Sequence, residues 1–355
     1  MNDKFKAWTG IINAFSDRLP IESGEEIITL YEGNTPLIPL PYISDRVNAN
    51  VFAKVEGANP TGSFKDRGMT MAVTKAKSQG KQVLVCASTG NTSASLAAYS
   101  ARAKLPCMVI IPQGKIALGK LAQAVMHGGH IMQINGNFDD ALTLVRQLER
   151  IDSVGIMNSI NPYRPQGQKT ASFEICDALG FAPDEHFIPV GNAANIYSYW
   201  LGYKEYLSDG IVNSSPKMRG VQAQGSAPFV YGYPVENPET LATAIRIGAP
   251  ASYEKALGAR DESGGSITAV TDEKIIEAYK MIAAHDGIFV EPASAASVAG
   301  LLGAAERGEV VKDSTIVCTV TGHGLKDPDR ATADIEIPAA VDPSIDSVRK
   351  IIDSL

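Results

Sequence analysis

The regular alternation of short apolar runs with longer amphipathic segments constrains the fold of this chain more than any other feature. The run "QVLVCAS" precedes "SASLAAYSARAK", "CMVIIP" precedes "ALGKLAQAVMHG", and "HFIPV" precedes "NIYSYWLGYKEYLSDG". Short apolar runs are typical of strands buried on both faces, and the amphipathic segments predict the helices that connect them. Such units form parallel sheets with right-handed crossovers. We therefore predict an α/β fold of open, twisted, mostly parallel sheets with flanking helices.

Length and charge limit the size and the partners of this fold. The 355 residues exceed the roughly 250–300 at which a single hydrophobic core stops growing, so we expect two lobes. The formal net charge of -7 leaves no general positive field for nucleic acid or an anionic membrane, and we expect neither as a partner. An anionic ligand would need a local positive site.

The cysteines and the N-terminal segment indicate the compartment. Cys86, Cys107, Cys176 and Cys318 are far apart and mostly lie in apolar runs, which is typical of buried, reduced thiols. The N-terminal segment lacks the apolar stretch of about 7–15 residues that a signal peptide contains. No run approaches the roughly 18 apolar residues of a membrane span. We expect a cytoplasmic protein.

Lys65 is the first candidate for chemistry. It lies in "NPTGSFKDRG", between a strand-like alternating segment at 51–57 and a segment with apolar residues at helical spacing. A lysine at a helix N-terminus meets the positive end of the helix dipole, which disfavours its protonated form by up to about 1 kcal/mol. The amine would then be easier to use as a nucleophile. On position alone, an exposed lysine at a helix start is the alternative.

Several predicted strands end in unusual polar stretches. These are "STGNTS" at 88–93, "NSINPYR" at 158–164, "GNAAN" at 191–195, "EPAS" at 291–294 and "TGHG" at 321–324. In open α/β sheets, ligands bind outside the carboxyl ends of the strands. We therefore expect all five segments to converge on one cleft near Lys65.

Three of these segments are suited to anions. "GNAAN" can aim several backbone N–H groups at a phosphate, because glycine and asparagine tolerate positive φ and a helix N-terminus attracts anions. "STGNTS" suits a carboxylate or a second phosphate, and the guanidinium of Arg164 could clamp a phosphate with two hydrogen bonds. On spacing alone, ordinary helix caps, such as Asn192 or Asn195, and a solvated surface arginine are the alternatives.

Metal and hydrolase chemistry have little support in the sequence. His127 and His130 have a spacing that could hold a metal, but no acidic or cysteine partner has a recognisable spacing. There is no G-x-S-x-G motif, and His323 has no evident nucleophile to serve. We expect no metal.

A reactive lysine and a separate phosphate cradle are together what pyridoxal 5'-phosphate (PLP) requires. The order of the motifs agrees with this, and the chain resembles the threonine synthases, a family of the tryptophan-synthase-β-like (fold type II) PLP enzymes. The resemblance covers about Glu32 to Asp329 and rests on "NPTGSFKDRG", "STGNTSAS", "ALGKLAQA", "NSINPYR", "PVGNAAN", "EPASAAS" and "TGHGLKDP". It implies a two-lobed fold with the cofactor in the cleft between the lobes. It also implies conversion of O-phospho-L-homoserine and water to L-threonine and phosphate.

The resemblance further implies roles for particular residues. Lys65 would be the catalytic residue, which forms a Schiff base with PLP and then moves protons. Asn91 would bind the 3-hydroxyl of the PLP ring, and Thr321 would meet the ring nitrogen. The other cofactor-binding residues would be Phe64 and, around the phosphate, Gly191, Asn192, Ala193, Ala194 and Asn195. The carboxylate and phosphate of the substrate would be bound by Ser88, Thr92, Asn158, Ser159 and Arg164.

The phosphate loop departs from the family pattern at one position. The family usually has Gly-Asn-Ala-Gly-Asn, whereas this chain has Ala194 in place of the second glycine. If that position required a positive φ, alanine would be strained by about 1 kcal/mol or more. We expect a helical φ at Ala194.

The apolar pattern and the resemblance also predict domain limits. A small mobile domain would comprise residues 65–157, and a large PLP-binding domain would comprise residues 1–64 and 158–355. Lys65 would then lie at the hinge, and closure of the small domain could exclude water during the reaction. We also expect a homodimer, and a C-terminal helix from about Asp342 that serves packing.

Two other functions stay open. A threonine or serine dehydratase, or a cysteine synthase, would share the fold and the lysine loop but handle substrates without a γ-phosphate. An Arg164 that points away from the cleft would favour that reading. A carrier or regulator would bind PLP without catalysis, but the substrate-side loops would then have no purpose.

Overall fold

The computed structural model describes residues 7–113, 118–333 and 339–353, without the side chains of 118–120 and 138–139. Ala117, the first residue of the "ALGKLAQA" motif, lies outside them. The strands are β1 (Leu37–Pro39), β2 (Asn50–Val55), β3 (Val83–Ala87), β4 (Cys107–Pro112), β5 (His130–Ile134), β6 (Val154–Ile156), β7 (Glu185–Pro189), β8 (Lys217–Ala223), β9 (Ser266–Val270) and β10 (Thr315–Val320).

The helices fall mostly between consecutive strands, as the alternating sequence pattern predicted. They are α1 (Ile11–Ala14), α2 (Pro41–Val47), α3 (Lys65–Ser78), α4 (Asn91–Ala103), α5 (Leu118–Met126), α6 (Phe138–Leu148), α7 (Tyr163–Gln168), α8 (Thr170–Leu179), α9 (Ala194–Ser208), α10 (Pro228–Tyr231), α11 (Tyr253–Glu262), α12 (Asp272–Asp286), α13 (Pro292–Glu306), α14 (Pro328–Thr332) and α15 (Ile345–Ile352). The last of these confirms the predicted C-terminal helix, although it begins three residues later than expected. None of its residues is buried, so the expected role in packing is not seen within the described parts of this chain.

The strands form two separate sheets. One has six strands in the order β1-β2-β10-β7-β8-β9, and the other has four in the order β5-β4-β3-β6. Every pairing is parallel except that of β1 with β2. The prediction of open, mostly parallel sheets is therefore confirmed. The four-stranded sheet is built from strands between Val83 and Ile156.

The central strands are apolar because helices cover both faces of each sheet. In β7 every residue is buried, and in β10 only Thr315 is partly exposed. The four cysteines are buried and free, as predicted. Among the residues described, no helix is both long and apolar enough to cross a membrane.

Helix α13 packs in the hydrophobic core against the larger sheet. Its sequence, PASAASVAGLLGAAE, is rich in alanine and serine, and eleven of its fifteen residues are buried. Small side chains let a helix approach a sheet and neighbouring helices closely. A proline at its first position preorganises the start of the helix, since the fixed φ of proline suits that position. The start of α13 is the "EPAS" segment, which is thereby held rigidly.

Helix α3 is anchored by a buried ion network. The guanidinium of Arg67 donates hydrogen bonds to the carboxylates of Glu56 and Glu174 at 2.7 Å, and Lys54 Nζ donates to Glu174 at 2.7 Å. Burial alone would raise the pKa of Glu174, but Arg67 and Lys54 outweigh it and lower that pKa to about 2. The network ties the first turn of α3 to β2 and α8. Lys65, the first residue of α3, therefore has a fixed backbone.

Candidate active site

The polar segments expected at strand ends do converge on one cleft. "STGNTS" follows β3, "NSINPYR" follows β6, "GNAAN" follows β7 and "TGHG" follows β10. The expectation that "EPAS" also follows a strand was wrong. It opens α13 after a single bridge between Val290 and His323, because only one residue of the preceding apolar run finds a pairing partner.

Hydrogen bonds join these segments directly. The backbone N–H of Phe64 donates to the carbonyl of Thr321 at 3.0 Å, and that of His323 donates to Gly62 at 2.9 Å. The amide of Asn192 donates to the Ser159 hydroxyl at 3.2 Å. The lysine loop is therefore fixed to the "TGHG" segment, and the "GNAAN" loop is fixed to "NSINPYR".

Lys65 lies at the start of α3 with a half-buried side chain. Its Nζ lies 4.3 Å from the centroid of the Phe64 ring. Burial and, to a lesser extent, the nearby Arg164 lower the pKa of Lys65 to about 7, and Glu291 opposes the shift. At neutral pH about half of the amine is unprotonated and nucleophilic. The sequence predicted this direction from the helix dipole, whereas burial is the main cause, and the alternative of an exposed surface lysine was wrong.

The backbone of the "GNAAN" loop shows whether Ala194 needs a positive φ. Ala194 is the first residue of α9 and has a helical backbone, as predicted. The positive φ of the loop falls on Ala193, at 67°, in the left-handed region. No side chain caps α9, since Asn192 instead donates to Ser159 and accepts from the N–H of Ala251. The alternative of an ordinary asparagine cap was therefore wrong.

The start of α9 has the features of an anion site. The first N–H groups of any helix lack intrahelical partners. Asn195 is 7% exposed, and within the described parts of the chain neither its Oδ1 nor its Nδ2 has a hydrogen-bond partner. Leaving a buried amide unpaired costs about 1–3 kcal/mol. At Gly191, a Cβ would lie 2.9 Å from Cα of Ile245, so only glycine fits there. A phosphate group fits this cradle.

The "STGNTS" segment also lacks an ordinary side-chain cap. The N-cap of α4 is Gly90, and its N–H donates to the Ser88 hydroxyl at 3.1 Å. Asn91, the first residue of α4, is buried and donates to both carboxylate oxygens of Glu291 at 3.0 and 3.2 Å. Ser88 and Thr92 are half-buried. The polar side chains of this segment therefore stand beside the cleft, where a ligand can reach them.

Thr321 lies at the end of β10 and is buried. Its hydroxyl is 2.9 Å from the hydroxyl of Ser294 in the first turn of α13. Ser294 also accepts a hydrogen bond from the N–H of Gly322 at 2.8 Å. The Thr321 side chain is thereby held in one orientation.

Arg164 is a buried cation at the start of α7. Its Nη1 donates to the carbonyl of Met157 at 3.2 Å, while Nε has no partner, and no carboxylate in the described chain pairs with it. Burial lowers the pKa of Arg164 to about 10. A buried guanidinium without a counter-ion is strongly suited to bind an anion. The alternative of a solvated surface arginine was wrong.

Asn158 and Ser159, the first two residues of "NSINPYR", differ in how many hydrogen bonds they have left for a ligand. Asn158 is buried, and its amide exchanges two hydrogen bonds with the peptide groups of Ala87, both at 3.0 Å. It therefore joins the end of β6 to the end of β3 and has only one N–H left for a ligand. Ser159 is half-buried and accepts from Asn192.

Sequence reasoning missed three polar residues of the cleft. Glu291 and Ser294 contact Asn91 and Thr321, and the buried Ser63 hydroxyl has no partner among the described residues. The sequence showed that the "EPAS" segment is polar, but it indicated no role for the individual residues. The available signal was an acidic residue placed directly before an alanine-rich helix that has no further charged residue until Glu306 at its end.

Together these residues fit PLP. Lys65 supplies an amine with a lowered pKa, the start of α9 supplies a phosphate cradle with an unpaired buried amide, and Asn91 and Thr321 stand on other walls of the cleft. A lysine-based site of this type can perform covalent carbonyl chemistry on an amino acid.

Sequence comparisons agree with this chemistry. A family model described as pyridoxal-phosphate dependent enzyme matches residues 28–322. The threonine synthase of Mycobacterium leprae is 56% identical over 342 residues, which cover 96% of this chain and 94% of that protein. The threonine synthase of Halalkalibacterium halodurans is 54% identical, with 95% of both chains covered.

Structural comparisons give the same fold at much lower identity. Serine racemase from Dictyostelium discoideum matches with a TM-score of 0.70 and 19% identity, over 88% of this chain and 96% of that one. The processed form of threonine deaminase isoform 2 from Solanum lycopersicum matches with a TM-score of 0.70 and 21% identity, over 91% of this chain and 88% of that one. At these identities the likeness concerns the fold alone.

Proposed function

We propose that this chain, which belongs to the threonine synthase family of the pyridoxal-phosphate-dependent enzymes, makes L-threonine and phosphate from O-phospho-L-homoserine and water. The family relationship makes it a PLP-dependent lyase with a small-molecule substrate. The choice of a phosphorylated substrate rests on one observation above all. Arg164 is a buried cation that has no carboxylate partner among the residues described, and it lies close enough to Lys65 to lower the pKa of its amine.

The chemistry divides between the cofactor and the protein. PLP, when bound, acts as an electron sink that makes the hydrogen on the α-carbon of the amino-acid substrate acidic. Lys65 would hold PLP through its amine, and the 191–195 loop would bind the cofactor phosphate. Asn91 and Thr321 would orient the ring. A threonine hydroxyl does not carry the negative charge that would keep the ring nitrogen protonated. PLP would therefore be an electron sink of moderate strength.

Proton transfer would be the task of Lys65. Once substrate takes its place on the cofactor, its amine is free, and a pKa of about 7 lets it both accept and return a proton near neutral pH. It would take the α-proton and then move a proton at the β-carbon. Phosphate would leave from the γ-carbon, and that carbon would receive the proton taken from the β-carbon and become the methyl group. A water molecule would supply the hydroxyl at the β-carbon and the proton that the departing phosphate takes up, and the α-carbon would take its proton back.

Binding of the substrate phosphate would be the task of Arg164 and its neighbours. The guanidinium would stabilise the substrate dianion and then the leaving phosphate, both in a site with little water. Ser88, Thr92 and Ser159 would donate hydroxyl hydrogen bonds to the carboxylate or the phosphate. Asn158, whose amide is already hydrogen-bonded to Ala87, would donate its remaining N–H to the substrate.

The dehydratase alternative is less well supported. The relatives at 50–57% identity are threonine synthases, whereas the threonine deaminase structure is only 21% identical. An Arg164 that points away from the cleft would have favoured a dehydratase, whereas Arg164 is near enough to Lys65 to lower its pKa, which supports a position at the cleft. A carrier without catalysis would also leave the lowered pKa of Lys65 without a purpose.

The decisive experiment is phosphate release from O-phospho-L-homoserine by the purified, PLP-loaded protein, with threonine identified as the product. Lys65→Ala should abolish both products, because no other amine would then hold PLP and move protons. Exposed Lys274→Ala serves as the matched control and should leave the rate unchanged. A PLP-loaded wild type that deaminates serine or threonine but releases no phosphate would replace this proposal with the dehydratase.

The same proposal extends to organisation and location. We propose a small domain of residues 65–157 that closes on a large domain of 1–64 and 158–355, a homodimer, and a cytoplasmic location. The separate four-stranded sheet supports the small domain, and the four free buried thiols fit a reducing compartment. Exposed apolar side chains at Val230, Tyr231 and Tyr233 offer surface for a second copy. Light scattering of the purified protein tests the dimer.

A further inference from the structure

The "EPAS" segment lies beneath two walls of the cleft but takes no part in the proposed reaction. Glu291 is 2% exposed and accepts hydrogen bonds from Asn91 at both carboxylate oxygens. Ser294, one helical turn further on, contacts the Thr321 hydroxyl at 2.9 Å. One rigid helix start therefore holds both residues that would orient the cofactor ring.

The contact between Glu291 and Asn91 fixes which way the amide points. An ionised carboxylate has acceptors only, so Asn91 must present its NH₂ group to Glu291. The reverse orientation would set a carbonyl oxygen against the carboxylate oxygens, which is repulsive. Asn91 thus keeps one N–H, with a fixed direction, for another acceptor in the cleft.

Glu291 is itself held in place by its surroundings. Its N–H donates to the carbonyl of Gly322 at 2.9 Å, and it stands at the N-cap of α13, where the helix dipole favours a negative charge. A Cβ on Gly322 would lie 2.5 Å from its carboxylate. Glycine at position 322 therefore leaves the space that the Glu291 carboxylate occupies.

Glu291 is also near Lys65, since its N–H bonds to Gly322 while the N–H of Phe64 bonds to the adjacent Thr321. The charged groups that act on this amine are Arg164, which disfavours its protonated form, and Glu291, which favours it. Burying a carboxylate costs free energy unless other interactions offset the loss of water. A negative charge opposite a reactive amine supplies such an interaction and gives the burial a function.

We propose that Glu291 is a positioning residue that orients Asn91 toward the PLP ring and stabilises positive charge on the Lys65 nitrogen. This inference rests on the proposed function only in that the cleft binds PLP. It needs no particular substrate. Asn91 and Lys65 touch the cofactor, whereas Glu291 acts through them.

A double-mutant cycle on PLP affinity tests the link to Asn91. Glu291→Gln has nearly the same size and should weaken PLP binding about tenfold, because the orientation of Asn91 is lost together with a charge-assisted hydrogen bond. In an Asn91→Ala background the same change should cost about twofold or less. Equal losses in both backgrounds would overturn the proposal.

The matched control is Ser297→Ala, in the same helix. Ser297 is buried and donates to the carbonyl of Ser294 at 2.9 Å, so its loss tests general damage to α13. It should leave PLP affinity unchanged. If Glu291→Gln does not fold, Glu291→Asp keeps the charge but withdraws it from Asn91 and should show the same dependence on Asn91.

The second readout is the pH titration of the visible absorbance of bound PLP, which a purely structural role would not move. Removing the negative charge should lower the midpoint in Glu291→Gln by about one unit. A midpoint in Glu291→Gln equal to or above that of the wild type would refute the effect on Lys65. If neither protein shows a transition, the double-mutant cycle on PLP affinity decides whether the proposal stands. A wild type that binds PLP but makes no threonine would overturn the proposed reaction and leave both tests valid.

Discussion

At the residue scale, burial lowers the pKa of Lys65 most, and two opposite charges, Arg164 and Glu291, adjust it. Arg164→Gln removes the positive one, so the pKa of the amine, about 7 in the wild type, should rise by about one unit. Only the neutral amine attacks the aldehyde of PLP. The rate at which apoprotein takes up PLP covalently should therefore reach its half-maximum at a higher pH, as measured by stopped-flow absorbance.

The control for this shift is Arg46→Gln. Arg46 is an exposed arginine in α2, so its loss should leave the midpoint where it is in the wild type. An unchanged midpoint in Arg164→Gln would mean that burial alone sets the pKa of Lys65.

The two alanines of the phosphate loop should respond differently to glycine. Ala193 has a φ of 67°, which strains alanine by about 1 kcal/mol, whereas Ala194 is helical. In Ala193→Gly the relief of strain offsets the greater freedom of glycine in the unfolded chain, so the free energy of unfolding should change little. Ala194→Gly has no strain to relieve and should lose about 0.5–1 kcal/mol. Urea denaturation would compare them, and the reverse order would contradict this account.

At the element scale, Lys65 depends on how closely α7 crosses α3. A Cβ on Gly167 would lie 1.8 Å from the carbonyl oxygen of Arg67, so the two helices touch through backbone atoms. Gly167→Ala must push α3 away and should lower the free energy of unfolding by about 1–3 kcal/mol or more. Since α3 begins at Lys65, PLP affinity should fall as well. Thermal unfolding and PLP titration would measure the two effects.

Gly258 in α11 is the matched control for Gly167. The nearest atom to a Cβ at Gly258 is a carboxylate oxygen of Glu262 at 3.8 Å, which is an ordinary contact. Gly258→Ala should therefore stabilise the protein by up to about 1 kcal/mol through helix propensity. Similar losses in both variants would show that the close approach of α7 and α3 has no special cost.

At the scale of the whole molecule, the proposed reaction predicts that the two proposed domains close on the substrate. The proposed phosphate ligands come from both domains, Ser88 and Thr92 from the small one and Ser159 and Arg164 from the large one. A bound phosphonate analogue of the substrate should draw them together and lower the radius of gyration of the PLP-loaded protein in solution scattering. Inorganic phosphate alone binds without the amino-acid part and should give a smaller change. Identical radii with and without the analogue would contradict closure.

The sequence alone determined the order and type of the main elements and the positions of the polar segments. Period-two and helical patterns are local, so they located β2, α3 and the strand–helix alternation without any knowledge of packing. The same local reasoning placed Lys65 at a helix start and gave a helical backbone to Ala194. It could not show that the run before "EPAS" forms only one bridge, because pairing depends on a distant partner.

The tertiary structure decided the chemistry of those positions. Burial is the main reason that the pKa of Lys65 is about 7, and the described parts of the chain place no carboxylate beside the buried Arg164. The partner of Asn91 is Glu291, which lies 200 residues away in the chain. Desolvation and charge interactions depend on which distant segments fold against each other, and no local pattern contains that information.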